Sequence, residues 1–182
     1  TPSPALAAQI FFDEYLDQLH GWPFEADLAP IEIPLNGTVD PSSIDEDDVQ
    51  LWQITSDGLD AQRVESVNIE VVTQEGTPTR IRISPQEDLL RDTSYFAFVT
   101  RDVLNAQGLS LRPPASIFMS LQPYEVIDAD GNSTVSEISR QEAAGIEKLR
   151  QMHQPLVSLI AQKTELSYQD IAGLWTWFTW RD

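Results

Sequence analysis

The chain of 182 residues is 41% hydrophobic and 22% charged, which is the composition of an ordinary globular domain. This length suffices to bury a core without disulfides or metals. Acidic residues number 29 against 11 Lys and Arg, and the formal net charge of -18 repels nucleic acid and anionic membrane surfaces. The lack of cysteine excludes disulfides, thiolate nucleophiles and Cys-ligated metals. No apolar run approaches the ~20 residues of a membrane span.

The first segment, residues 1–30, is predicted to be a leading helix followed by a connector. Apolar residues recur at spacings of three and four between Ala5 and His20, which is typical of an amphipathic helix. Gly21 and Pro23 are expected to end it, because Gly suits a helix C-terminus and Pro cannot continue a helix. The opening Thr1-Pro2-Ser3-Pro4 lacks the features of a secretion signal, so we expect any such signal to have been removed.

Between Ile31 and Leu121 the period of the apolar residues changes to two, which is typical of strands in a sandwich. Residues suited to turns separate these stretches, and no helical pattern lies between them, so antiparallel pairing is favoured over a parallel sheet. Six strands are predicted: Ile31 to Leu35, Val49 to Ile54, Val64 to Val72, Thr79 to Ser84, Ser94 to Thr100 and Ala115 to Leu121.

One predicted strand has a basic stripe. Ile81 and Ile83 alternate with Arg80 and Arg82, so the isoleucines are placed in the core and the arginines on the opposite face. We expect these arginines to pair with the acidic surface, and a site for an anionic ligand is the alternative.

After Leu121 the pattern becomes helical. Ser139 and Glu142 have the spacing of a capping box, which predicts that a helix begins there. Apolar residues at spacings of three and four follow on one face of this helix. Pro155 removes a backbone donor inside the run, so we expect a kink or two helices meeting near Gln154.

The most hydrophobic segment is the last one. Leu174 to Trp180 is apolar on both faces, as in a strand that is covered on both sides. A second capping signal at Ser167 and a turn closed by Gly173 are expected to precede it. The predicted fold is therefore mainly β, with an antiparallel β-sandwich over residues 31–121. Residues 122–182 are expected to form a helical segment that leads into a final buried strand packed on the sandwich.

No catalytic constellation is evident. The Gly-x-Ser-x-Gly turn that holds the nucleophile of many serine hydrolases is absent. Only His20 and His153 could act as imidazole bases, and both lie on predicted helices among apolar neighbours, which favours structural roles. The acidic run Asp45 to Asp48 is interpreted as a solvated loop. We therefore assign no catalytic, cofactor-binding or metal-binding residue and no cofactor.

The best metal candidate is the loop from Asp128 to Ser136. Asp128, Asp130 and Asn132 provide oxygen ligands at alternate positions and resemble half of an EF-hand loop. Ser133 stands where that loop has glycine, and Ser139 where it has the closing bidentate Glu. Calcium binding is therefore expected to be weak at best, and the alternative is that these side chains stabilise a turn.

Five tryptophans raise the alternative of a sugar-stacking surface. Alternation along the last strand distributes Trp175, Trp177 and Trp180 over both faces, so they are predicted to serve the core and not a single platform.

Two stretches resemble bacterial immunoglobulin-like (Ig-like) domains. Ile31 to Ile44 contains Val39-Asp40-Pro41 after a strand, and Ile81 to Val103 contains Ser84-Pro85, Thr93-Ser94-Tyr95 and Asp102. The flanking segments are similar to the N-terminal region of bacterial extracellular lipases, including surface phospholipases of the virulence-factor lipase type. These segments are Leu19 to Pro23, Asp130 to Ser133 and Ile171 to Thr179. The resemblance spans nearly the whole chain and implies an Ig-like β-sandwich.

The resemblance also implies a secreted bacterial parent enzyme, outside the cell or on the bacterial outer surface, whose α/β-hydrolase domain follows this region. None of the catalytic residues of that domain has a matching motif here, so the chain would be a non-catalytic N-terminal accessory domain and not an enzyme. Its expected partners are the downstream hydrolase domain and the cell surface or lipid, and nucleic acid is not expected. The alternatives are an Ig-like adhesion or spacer module of a bacterial surface protein, and a weak calcium- or glycan-binding module.

Overall fold

The computed structural model describes residues 30–179 except positions 36, 56, 57, 59 and 74–78. The predicted leading helix over Ala5 to His20 lies outside these residues. None of the described helices is long and apolar enough to cross a membrane. The described strands are β1 (Ile31–Pro34), β2 (Val49–Ile54), β3 (Ala61–Arg63), β4 (Val67–Val72), β5 (Arg80–Pro85), β6 (Thr93–Thr100) and β7 (Ile171–Thr179). The α-helices are α1 (Ala115–Leu121) and α2 (Arg140–Thr164), and a short 3-10 helix spans Pro41–Ser43.

The strands form two antiparallel sheets, in the orders β1-β5-β4 and β3-β2-β6-β7. Alternate residues of both sheets turn inward and form one hydrophobic core cluster. The first sheet contributes Ile31, Ile33, Ile81 and Ile83, and the second contributes Val49, Leu51, Tyr95, Ala97, Val99 and Trp177. The prediction of a mainly β fold with antiparallel strands is confirmed.

The described residues fall into two compact units. Residues 30–112 and 170–179 belong to the unit that contains both sheets, here called the sheet unit. Residues 113–169 belong to the other, here called the helical unit.

The prediction of a strand at Ala115 to Leu121 is wrong, because this segment is the helix α1. Its buried residues are Ile117, Ser120 and Leu121, and their spacings of three and four give one helical face. Pro114 precedes the first turn, where proline is well tolerated because the first helical amides have no intrahelical partner. A second difference is β3, which was not predicted and is only three residues long.

The capping box that begins α2 is confirmed. The Ser139 hydroxyl accepts from the amide of Glu142, and the Glu142 carboxylate accepts from the amide of Ser139 at 2.8 Å. The helix continues through Pro155 to Thr164, so the alternative of two separate helices is wrong. Pro155 lies on the exposed side, and buried apolar residues on both sides of it continue one packed stripe.

The final strand is confirmed as β7, although Trp180 lies outside the described residues. It pairs with β6 from Thr93 opposite Thr179 to Thr100 opposite Ile171. The prediction that Gly173 closes a turn is wrong, since this residue lies within β7. A Cβ atom at Gly173 would lie 2.1 Å from the ring of Trp175, which occupies the same face two residues later. The glycine is therefore needed for close approach of an aromatic ring.

Candidate functional site

The helical unit contains a fully buried serine–histidine pair. Ser120 on α1 and His153 on α2 are both 0% exposed, and Ser120 Oγ lies 2.9 Å from His153 Nδ1. The serine reaches this position because it shares the buried face of α1 with Ile117 and Leu121. A hydroxyl and an imidazole in contact are two of the groups that a serine hydrolase uses, so the direction of their hydrogen bond decides what they can do.

Ser120 has one hydroxyl proton and two nearby acceptors. Its Oγ also lies 2.8 Å from the carbonyl oxygen of Ile117, one turn earlier in α1. If the serine donated to Nδ1 of His153, the ring proton would sit on Nε2, a buried atom that has no hydrogen-bond partner among the described residues. A buried N–H group without an acceptor costs about 1–3 kcal/mol. The favoured arrangement therefore has Ser120 donating to Ile117 and His153 Nδ1–H donating to Ser120.

In this arrangement the histidine donates to the serine and cannot remove its proton, which is the reverse of a catalytic dyad. Burial lowers the pKa of His153 to about 4, so the ring is neutral at neutral pH. Helix α1, which carries Ser120, contains no charged residue, so it supplies no carboxylate that could orient the imidazole. The pair therefore links α1 to α2 as a neutral hydrogen bond, and its chemistry favours a structural role.

A buried glutamate of α2 forms an ion pair within the helix and also bonds to the segment that precedes the helix. Glu147 is 4% exposed and accepts hydrogen bonds from Arg150 at 2.7 and 2.9 Å and from the amide of Val126 at 3.2 Å. The hydrogen bonds from Arg150 are the main cause that lowers the pKa of Glu147, and the carboxylate is ionised at neutral pH. All these partners belong to the helical unit, so Glu147 stabilises the local chain path.

The acidic loop from Asp128 to Ser136 is organised by its own hydrogen bonds. Asp128 Oδ1 accepts from the amides of Asp130 and Asn132 at 3.0 and 2.8 Å, and the bond from Asn132 is the largest cause that lowers the pKa of Asp128. Arg140 donates to the carbonyl oxygen of Asp130 at 2.9 Å and brings positive charge to the loop. Among the described residues, no group of three or more His, Asp or Glu side chains could hold a metal ion. Weak calcium binding here stays a prediction.

The arginine stripe of β5 is paired with acids on both neighbouring strands. Glu32 on β1 accepts from Arg80 at 2.8 Å and from Arg82 at 2.7 Å, and Arg82 also lies 3.8 Å from Glu70 on β4. The bonds from Arg82 and then Arg80 lower the pKa of Glu32. The prediction that these arginines pair with the acidic surface is confirmed. Because the carboxylates of Glu32 and Glu70 neutralise the two arginines, the stripe does not favour an anionic ligand.

The described tryptophans serve the interior. Trp52 stacks on Phe96 and Trp177 stacks on Tyr95, each with ring centroids 6.1 Å apart. Trp52 and Trp177 are 6% and 8% exposed, and Trp175 packs against the core cluster. Within the described part of the chain, no tryptophan therefore presents a flat exposed face to a sugar.

The Ser120–His153 pair was missed because the serine was placed on a strand. The available signal was the pair of prolines at 113 and 114 followed by residues that favour helices, which is typical of a helix start. Nothing in the sequence indicated which residue His153 would contact, since that depends on how two helices pack.

No model of a known protein family matches this chain, and no curated protein matches it significantly.

Proposed function

We propose that the sheet unit is an Ig-like β-sandwich in which a helical segment is inserted before the last strand. In Ig-like domains, strands B, E and D belong to one sheet, and C, F and G, often with C′, belong to the other. The orders β1-β5-β4 and β3-β2-β6-β7 correspond to B-E-D and C′-C-F-G. With this correspondence the seven described strands also follow the Ig-like sequence order from B to G without exception.

Tyr95 supports the same proposal. Ig-like sandwiches commonly have a tyrosine near the start of strand F whose hydroxyl bonds to the backbone a few residues upstream. Tyr95 is the third residue of β6, and its hydroxyl accepts from the amide of Leu90 at 2.8 Å. Its ring is buried and stacks on Trp177 of the neighbouring β7. The residue therefore fixes the loop that enters β6.

The second part of the proposal is that this chain is a non-catalytic accessory domain of a secreted bacterial lipase or phospholipase. Its support is the resemblance of the flanking segments to the N-terminal region of extracellular lipases, together with the Ig-like strand order, in which one of these segments, Ile171–Thr179, forms the last strand β7. In the stretch that resembles Ig-like domains, Asp40 of the Val39-Asp40-Pro41 turn caps the 3-10 helix by accepting from the amide of Ser42 at 2.9 Å. The inaccessible Ser120–His153 pair, with its serine proton directed to Ile117, further supports a chain without its own nucleophile.

The gene that encodes this chain provides the first test. An accessory domain predicts a downstream reading frame with a Gly-x-Ser-x-Gly turn, whereas further copies of the 31–121 pattern would favour an adhesion or spacer module. In the full-length parent, turnover of a short-chain nitrophenyl ester should be abolished when the serine of that downstream turn is substituted. Turnover should be unchanged by Ser120→Ala. Loss of turnover in a folded Ser120→Ala protein would contradict the proposal.

A further inference from the structure

An open groove lies along β4 at the edge of the sheet unit. Its volume is about 250 Å³, and it is lined by Pro41, Ile44, Asp45, Glu46, Ile69 and Val71. The three branched apolar side chains are partly buried against the core cluster, so the floor is apolar. Asp45 and Glu46 are exposed, so the rim is acidic. The volume lies below the ~300–1,000 Å³ of typical small-molecule pockets and suits one or two side chains of a peptide.

No described strand pairs with β4 on the side away from β5. Among the described residues, β4 pairs only with β5 and is the last strand of its sheet. Its sequence Val-Asn-Ile-Glu-Val-Val contains neither the lysine nor the proline that commonly protects an edge strand. An extended segment can add to such an edge through main-chain hydrogen bonds, with every second side chain directed to one face.

The two acids on the rim form no ion pair with described residues, although Arg63 donates to the backbone carbonyl oxygen of Glu46. In the run from Asp45 to Asp48, Asp47 pairs with Arg63 at 2.9 Å, and Asp48 is buried and accepts from the Thr100 hydroxyl. Asp45 and Glu46 form no ion pair with any described residue. Their charges therefore remain available to a ligand of opposite sign.

Charge also decides which segment fits the groove. Residues 1–30 contain no Lys or Arg and carry the acids Asp13, Glu14, Asp17, Glu25 and Asp27, so this part of the chain is repelled by the rim. A second copy of the chain has the same net charge of -18 and is also repelled. We propose that the groove binds, as an added strand on β4, an extended segment of another polypeptide in which apolar and basic residues alternate.

The test uses a fluorescein-labelled nine-residue peptide of alternating Val and Lys, titrated with the purified chain and followed by fluorescence anisotropy. Asp45→Asn with Glu46→Gln should weaken binding about five- to tenfold, because two attractive charges are lost. Asparagine at position 45 keeps the side-chain oxygen that accepts from the amide of Asp47. The matched control is Glu87→Gln with Asp88→Asn, which removes two exposed acids of the same unit and should change the dissociation constant less than twofold.

Peptide variants test the mode of binding. Replacing Lys by Glu should abolish binding, and methylating alternate backbone nitrogens should do the same, because a strand pair needs those donors. Amide NMR shifts caused by the parent peptide should concentrate in residues 41–46 and 67–72. The proposal is overturned if the peptide does not bind at millimolar concentration, if both protein variants lose binding equally, or if the shifts lie elsewhere. Sedimentation of the free chain as a dimer that Asp45→Asn with Glu46→Gln dissociates would assign the groove to a second copy instead.

Discussion

His153→Asn is expected to make the free energy of unfolding less dependent on pH below 6.5. Burial lowers the pKa of His153 in the folded chain from 6.5 to about 4. Between these pH values the unfolded chain binds a proton that the folded chain does not bind, so the free energy of unfolding falls as the pH falls from 6.5 towards 4. Protonation would also place a hydrogen on Nε2, which is buried and has no acceptor among the described residues.

The size of the effect follows from the two pKa values. The whole difference between 6.5 and about 4 corresponds to about 3 kcal/mol, because one pH unit is worth about 1.4 kcal/mol. At pH 5 most unfolded histidine is protonated and most folded histidine is not, so the loss relative to pH 8 is about 2 kcal/mol. Small domains have total stabilities of about 5–15 kcal/mol, so this loss is measurable.

Urea unfolding followed by circular dichroism at 222 nm reports the melting of α2 and provides the assay. The chain and its His153→Asn variant are compared at pH 8, 6.5 and 5, and the asparagine can still donate to Ser120. Carboxylates titrate in both proteins, so the difference between them isolates His153. The stability advantage of the unsubstituted chain should shrink by about 2 kcal/mol between pH 8 and pH 5. A difference that is independent of pH, or a native imidazole that titrates near its ordinary pKa by NMR, would refute the reasoning.

Three further outcomes are expected. Gly173→Ala would place a methyl group 2.1 Å from the ring of Trp175, so urea denaturation should show a loss of about 1–3 kcal/mol; an unchanged midpoint would mean that the ring moves freely. Glu32→Gln removes the charge that both arginines of β5 share, and calorimetry should show a Tm lowered by a few degrees at low salt and less at high salt, while Glu87→Gln has no such effect. Calorimetric titration with Ca²⁺ should show weak binding at most, and sub-micromolar affinity that is lost on Asp128→Ala would contradict this.

Local sequence signals predicted where some of the elements begin and end. The strand Val49–Ile54 was predicted with the bounds that the structure has, because its apolar residues and flanking turn residues are both clear. The start of α2 was predicted from Ser139 and Glu142 alone, since a capping box is formed by residues three positions apart. Pairing of the β5 arginines with acids also followed from composition, although their particular partners did not.

Short segments and tertiary contacts could not be predicted in the same way. Seven residues at Ala115–Leu121 satisfy both a strand and a helix pattern, and packing selects the helix. The run from Asp45 to Asp48 is predicted to be one solvated loop, yet the structure divides it into a buried acid, an acid in an ion pair, and two exposed acids that form no ion pair with described residues. That division depends on Thr100 and Arg63, which are distant in sequence, so no local pattern contains it.

The placement of β7 shows why hydrophobicity can predict burial but not pairing. The chain leaves β6 at Thr100 and returns opposite it at Ile171, and the amide of Arg101 donates to the carbonyl oxygen of Asp170 at 2.8 Å. Because the entropy cost of closing a loop rises only with the logarithm of its length, a long insertion with adjacent ends costs little more than a short one. A hairpin and a long helical insertion are therefore both compatible with the same strand pair. The apolar residues of β7 require a core, but only the contact between the two ends of the insertion determines that β6 is the neighbour.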